Sequence, residues 1–219
     1  MRKVAAIMTI SLMLVLGAVL IVCLPSSKEE ATGQMPQAGE NINRNLTDLS
    51  TLPDNSIKGP QEIDMSSYRL RVYGNVQKEL AYTYEEILSK GGISRYSVLY
   101  CVEGWDAAVV WEGTRLMDII LPSGPKEGSK VVVFHSVDGY TTSIPLEEIM
   151  AKDMLIAYGA NGGTLPVNVG YPFIVVAQDK LGYKWARWVI GIEVSRDEGY
   201  EGYWEQRGYP NDANVKDWK

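Results

Sequence analysis

Very few residues in this chain could do metal or redox chemistry. Two cysteines, Cys23 and Cys101, and one histidine, His135, are all it carries. Two cysteines cannot build a disulfide framework or a cysteine-rich zinc site. A single histidine excludes the paired-histidine metal motifs and leaves few conventional triads. Cys101 opens Cys101-Val102-Glu103-Gly104-Trp105, directly after a β-rich run from Tyr96. As a thiolate it is a soft metal ligand, whereas a lone cysteine among apolar neighbours is more often a small buried hydrophobe. Charge narrows the field further. Lys and Arg number 21 against 27 Asp and Glu, a net of -6. A nucleic-acid backbone needs a basic surface, so DNA and RNA are poor partners.

A reactive side chain has to be held by rigid elements, and the body of the sequence predicts them. Tyr68–Tyr73 alternates and stops at Gly74, the pattern of a half-buried strand. Thr83 and Glu86 have capping-box spacing, opening a short helix that Gly91-Gly92 ends. Tyr96–Val102 reads as a strand that delivers Cys101 to a loop. Leu116–Leu121 reads as a short helix closed by Pro122. Val131–Phe134 and Tyr140–Ile144 flank Asp138-Gly139, a tight hairpin turn. Pro145 begins a helix through Met150. Tyr171–Ala177 and Trp185–Val194 are two further strands. Alternation along the last puts Trp185 and Arg187 on one face and Ala186, Trp188 and Ile190 on the other. The expected class is α+β, mainly β, with no βαβ rhythm and no GxGxxG.

The front end differs in character, since no aromatic residue precedes Tyr68. Val4–Leu24 carries no charge, and at about 1.5 Å per residue it can cross a bilayer core of roughly 30 Å. Arg2 and Lys3 precede it, which places the N-terminus inside and the rest outside. A cleaved signal peptide and a lipoprotein acylated at Cys23 are the rivals, but small residues before a cleavage site are missing from Leu20–Leu24. The polar stretch after it predicts a flexible tether. The expected organisation is a membrane anchor over 1–27, a tether over 28–54 and a folded domain over 55–219. The domain is extracytoplasmic, membrane-anchored, or else secreted or lipid-linked.

In order along the chain stand Tyr68–Gly74, Cys101–Trp105, Asp138-Gly139-Tyr140, Asn161–Pro166, Gly170-Tyr171-Pro172 and Lys180–Trp185. This series resembles the molybdopterin-binding domain of the sulfite oxidase family. It is most similar to the short prokaryotic members related to the periplasmic methionine-sulfoxide reductase catalytic subunit. The resemblance implies a sulfite-oxidase-type fold and a molybdenum–molybdopterin cofactor. It makes Cys101 the protein ligand to the metal and places Asn55, Ser136, Lys184 and Arg187 on the cofactor, Arg187 at its phosphate. Two departures stand out. Val169 and Ile174 occupy positions where related enzymes carry polar or cationic contacts, and the pocket is accordingly less cationic. The implied activity is oxygen-atom transfer on a small substrate, with a membrane haem protein or cytochrome as electron partner by analogy. The alternative is a cofactor-free binding or scaffolding module that kept the fold. The aromatic stretch Gly199–Tyr209 reads as a strap over the domain, against a substrate lid.

Overall fold

The computed structural model describes residues 45–218. The expected membrane span and most of the tether therefore lie outside the described residues. Among the described residues, no helix is long and apolar enough to cross a membrane.

Two sheets position everything that follows. The first has the order β2-β1-β10-β5-β6, formed by β1 (Leu70–Gly74), β2 (Leu80–Tyr82), β5 (Val131–Ser136), β6 (Thr141–Pro145) and β10 (Val189–Ser195). Only the β1–β10 pairing in it is parallel. The second runs β3-β4-β7-β8, from β3 (Ile93–Tyr100), β4 (Asp106–Arg115), β7 (Leu155–Ala160) and β8 (Gly163–Thr164), with β9 (Ile174–Val176) also on β7. Three short helices, α1 (Tyr84–Leu88), α2 (Leu116–Ile120) and α3 (Leu146–Ala151), fill the connections. One contiguous apolar core draws on both sheets. Val72, Phe134 and Ile192 come from the first, Val109, Trp111 and Ile156 from the second. Each such side chain stabilises the fold by roughly 1.5–3 kcal/mol on burial.

Local signals produce the expected local structure. In β1, Leu70 and Val72 are buried while Arg71 faces solvent. Thr83 and Glu86 form a reciprocal capping box on α1. The Asp138-Gly139 turn closes the β5–β6 hairpin, with Asp138 Oδ1 accepting the Tyr140 N–H at 2.9 Å and Gly139 at φ +90. β4 and β7 are two strands that the sequence analysis does not predict, although Asn161-Gly162, both at positive φ, turns the chain from β7 into β8. β4, ten residues long, pairs with both β3 and β7 and is the spine of the second sheet.

Two expectations are corrected. The tether does not extend to residue 54. Thr47 N–H donates to Ala108 O and its Oγ1 accepts from Ala108 N–H, both at 2.9 Å, while Leu49 is buried. Residues 45–54 thus belong to the body, because the edge of β4 beside Ala108 needs partners for its backbone groups. The strand expected over Trp185–Val194 begins only at Val189. Residues 186 and 187 instead lie against β9, through Val175 N–H to Ala186 O and an isolated bridge between Ile174 and Arg187. Trp188, at φ +51, then turns the chain across to the first sheet. A residue in the left-handed region breaks strand alternation, so the expected pattern does not run on past Arg187: Trp185 and Arg187 do line one cleft, but Trp188, expected on the opposite face, lines it too.

Candidate functional site

Cys101 is the first residue of the β3–β4 loop. Eight register pairs from Ile93–Gly113 to Tyr100–Asp106 make that hairpin a stiff support. The loop closes on itself: Cys101 N–H donates to Trp105 O at 2.9 Å, and Gly104 N–H to Cys101 O at 3.1 Å. Gly104 sits at φ +90 with open space where a side chain would go, so conformation rather than room calls for glycine. The Cys101 thiol is free and half-buried. Burial pushes its pKa up, and the Glu103 carboxylate pushes the same way. The N–H groups of Glu103 and Val102 and the Arg187 charge pull against them without prevailing. Left to itself this is a protonated thiol; a cation bonded to the sulfur is what would hold it as a thiolate.

The thiol opens into a cleft of about 160 Å³ between the two sheets' loops. Three donors on its lining are buried without a hydrogen-bond partner: Ser56 Oγ, Trp105 Nε1 and Ser136 Oγ. A buried polar group left unpaired costs about 1–3 kcal/mol, and three converging on one cleft match a bound group rich in acceptors. Asn55 also lines the cleft, with Nδ2 3.8 Å from Cys101 Sγ. Ser136 is placed by the β5–β6 hairpin, Ser56 by an Asx turn in which its N–H donates to Asp54 Oδ1 at 3.0 Å.

Arg187 reaches the same cleft from the crossing between β9 and β10. Its Nη1 donates to Asn168 O at 3.0 Å and lies 3.6 Å from Asp54 Oδ1. The guanidinium rests over the Trp188 ring at 4.7 Å, and Gly170, at φ +133, leaves room for the Arg187 side chain where a Cβ would crowd it. Both polar contacts use Nη1, which leaves the other edge of the planar fork for an oxyanion. Burial works against the Asp54 carboxylate, yet bonds from Ser56 and the Arg187 charge hold its pKa below the usual range. The set fits the cofactor that the resemblance implies: a soft ligand, unpaired donors and a desolvated guanidinium share one cavity.

Lys184 stands elsewhere. Its side chain is fully buried, and Nζ donates to Glu205 Oε1 at 2.5 Å, Asn211 Oδ1 at 2.8 Å and Ser143 O at 3.0 Å. An ammonium has three protons, so none remains for a phosphate. Lys180 is likewise engaged, by Glu148, Asp212 O and Asn214. Both lysines hold the C-terminal strap and α3 to the body. The resemblance placed Lys184 on the cofactor; the groups that hold these two lysines instead lie up to 41 residues away along the chain.

Several lining residues escaped the sequence reading. Trp105, at the end of the Cys101 loop, is half-buried, lines the cleft and carries an indole N–H that is buried without a partner. Asp54 and Ser56 fell at the supposed end of the tether; the Asp-x-Ser spacing of an Asx turn was the available signal. Trp204 and Tyr209, on the strap, also line the cleft. Val169 is buried beneath a smaller adjoining hollow and Ile174 lines the cleft, so the two departures make apolar wall.

Comparison with known proteins agrees with this geometry. The model of the oxidoreductase molybdopterin binding domain family matches residues 57–204, a span that holds Cys101, Ser136 and Arg187. The uncharacterized oxidoreductase YuiH of Bacillus subtilis is 33% identical over 151 residues, covering 68% of this chain and 76% of that protein. The putative protein-methionine-sulfoxide reductase subunit YedZ1 of Azospira oryzae is 31% identical, covering 68% of this chain and 56% of that one. Sulfite oxidase of Gallus gallus is 30% identical, covering 71% and 40%. Among solved structures, the sulfane dehydrogenase SoxCD of Paracoccus pantotrophus superposes with a TM-score of 0.60 at 22% identity, over 66% of this chain and 41% of that one. The likeness to SoxCD establishes the fold alone. The match spans little more than half of YedZ1 and two-fifths of the sulfite oxidase.

Proposed function

Because the chain belongs to the oxidoreductase molybdopterin-binding domain family, we propose that the cleft holds a molybdenum–molybdopterin cofactor serving oxygen-atom transfer on a small substrate. The observation that carries this reading is the convergence of a free thiol, three unpaired buried donors and Arg187 on one cavity. Cys101 Sγ is the protein's bond to the metal. Asn55 orients that sulfur, Ser136 and Ser56 donate to the cofactor, and the open edge of Arg187 pairs with its phosphate. When bound, the group supplies a metal centre that cycles by two electrons. In the reducing direction the substrate gives up one oxygen atom, which leaves as water with two protons, while two electrons arrive from a redox partner. A haem protein or cytochrome supplies those electrons. The oxidising direction runs the same balance in reverse.

The uncharged run Val4–Leu24 behind Arg2-Lys3 supports an N-terminal anchor with the domain on the extracytoplasmic side. Molybdenum content of the protein purified from a molybdenum-replete host tests the chemical reading. Stoichiometric metal with a pterin fluorophore on extraction is expected. Cys101→Ser keeps the side-chain volume but replaces a soft ligand by a hard one, so turnover should vanish and the metal's absorption shift. A metal-free native protein would leave a binding module in its place.

A further inference from the structure

A cleft of about 160 Å³ is small for the group assigned to it. Sites that enclose a drug-sized molecule run from roughly 300 Å³ upward. A pterin with its phosphate enters only if one wall moves, and the walls differ in how they are fastened.

Most of them are tied down by backbone hydrogen bonds. Cys101 and Trp105 close the loop of the β3–β4 hairpin. Ser136, Asp138 and Tyr140 sit on the β5–β6 hairpin, where Ser136 N–H donates to Tyr140 O at 2.9 Å. Ala186 O accepts from Val175 N–H at 2.9 Å and Trp188 O from Val137 N–H at 3.1 Å, which fixes the chain on both sides of Arg187. The strap that carries Trp204 and Tyr209 is held by the buried Lys184–Glu205 pair and by Tyr203 N–H on Thr141 O at 2.9 Å. Gly202 lies so close to the Thr141 backbone that any side chain there would collide. The strap is a fixed wall rather than a lid.

Residues 53–62 are the exception. Pro53, Asn55, Ser56 and Ile57 line the cleft. Yet among the described residues no backbone group of 53–62 bonds to backbone outside the segment, which forms neither strand nor helix. Its own turns keep it in shape: Ser56 N–H donates to Asp54 Oδ1 at 3.0 Å, and Gln61 Nε2 to Gly59 O at 2.8 Å. Leu52 and Ile63, just outside its two ends, pack against the main core. Among the described residues, two polar contacts tie the span between them to the rest of the domain. Asp54 Oδ1 lies 3.6 Å from Arg187 Nη1, and Asn55 Nδ2 lies 3.8 Å from Cys101 Sγ. A span with firm ends and so few bonds between them opens at far lower cost than the sheets do.

We propose that residues 53–62 are a flap hinged at Leu52 and Ile63 and latched by Asp54 on Arg187, which opens to admit the cofactor and closes to bring Asn55 and Ser56 onto it. This rests on the cofactor reading of the cleft. Opening parts the ion pair and uncovers the guanidinium for the incoming phosphate. Closing returns Asp54 to Nη1 while the phosphate keeps the other edge of the fork. Because the pair is made in the closed form with or without the group, the latch governs how fast the group passes rather than how tightly it is held.

Lys58, exposed on the flap and followed by Gly59, gives trypsin a bond whose cleavage reports opening. The full-length protein is prepared loaded, and also from a host that cannot make the pterin, and cleavage after Lys58 is followed by mass spectrometry. The cofactor-free protein should be cut there, and the loaded protein at least about tenfold more slowly. Asp54→Asn should speed the cut in the cofactor-free protein by up to about fivefold, the most that a part-exposed ion pair is worth. Added salt should speed it in wild type and not in Asp54→Asn, because the latch is electrostatic. Uptake of molybdenum–molybdopterin released from a carrier protein, and its loss on dialysis, are read as metal per chain. Both should quicken in Asp54→Asn by a similar factor. Equal cleavage of loaded and cofactor-free protein, or an Asp54→Asn protein that matches wild type in cleavage and uptake, would overturn the flap. Faster loss with unchanged uptake would overturn it too, since Asp54 would then be an ordinary contact of the closed site. If Asp54→Asn does not fold, the salt dependence of wild-type cleavage decides. Latch-dependent cleavage in a protein that never acquires metal would uphold the flap and sink the cofactor reading instead.

Discussion

At the scale of single residues, the site sets stability against function, and the two can be separated experimentally. Ser136 Oγ is buried with no partner in the protein alone, a burden that a ligand would relieve. Ser136→Ala should therefore leave the melting temperature of cofactor-free protein unchanged or slightly raised. In the loaded protein the same change should weaken cofactor retention by about 1 kcal/mol, roughly fivefold. Scanning calorimetry of both forms checks the split; a large loss of stability in the cofactor-free form would make Ser136 structural. Arg187→Ala removes a charge-assisted contact of about 1.5–3 kcal/mol, so the loaded protein should lose its cofactor some ten to a hundredfold more readily. Molybdenum per chain after prolonged dialysis reads this directly, and circular dichroism should show the fold retained. Equal retention in variant and wild type would return Arg187 to a partner of Asp54 and Asn168 alone.

At the scale of elements, the strap and the 3-10 turn before Trp185 are joined by a buried ion pair. Lys184 and Glu205 are almost wholly excluded from solvent, at 1% and 0% side-chain exposure. Burial lowers the Lys184 pKa, and the Glu205 charge works against that. Lys184→Met leaves a carboxylate buried with only Thr142 to satisfy it, at a cost of about 3–5 kcal/mol. For a domain of this size that corresponds to a fall in melting temperature on the order of 10 °C. Lys184→Met with Glu205→Leu should recover part of the loss, since an uncompensated charge is worse than no pair. Thermal unfolding of the cofactor-free variants decides it. A Lys184→Met protein that melts normally but sheds cofactor would restore Lys184 to the phosphate. The neighbouring Lys180 plays the same kind of part, tying Glu148 of α3 to the segment around Asp212 and Asn214.

For the whole molecule, the distribution of charge and hydropathy argues for location. The part after residue 27 loses only Arg2 and Lys3 from the basic count, so it is more acidic than the chain's net of -6. Such a body should neither bind a phosphate backbone nor lie flat on an anionic bilayer. An anchor at Val4–Leu24 would hold it off the surface on whatever chain lies between residue 27 and the packed residues that begin near Thr47. Protease added to intact spheroplasts should cut the body away and leave a small membrane-bound fragment. Full protection of the body would place it inside.

What could be read from the sequence was what neighbours along the chain determine. The Thr83–Glu86 capping box, the Asp138-Gly139 hairpin and the alternation of Leu70 and Val72 are settled within a few residues, where backbone sterics and side-chain spacing act directly. The ordered blocks around Cys101 were legible through their resemblance to a known family, since composition alone favours a small buried hydrophobe at that position. Tertiary structure decided the rest. Arg187 faces the cleft because Trp188 adopts a left-handed conformation and sends the chain from one sheet to the other, which no periodicity encodes. Lys184 is sequestered by Glu205, 21 residues on, and a lysine's role depends on which carboxylate reaches it first. The strap became a wall of the cleft, and Ser56, Trp105 and Ser136 became unpaired donors, only when segments remote in sequence closed around one cavity and shut out the water that would otherwise have paired with them.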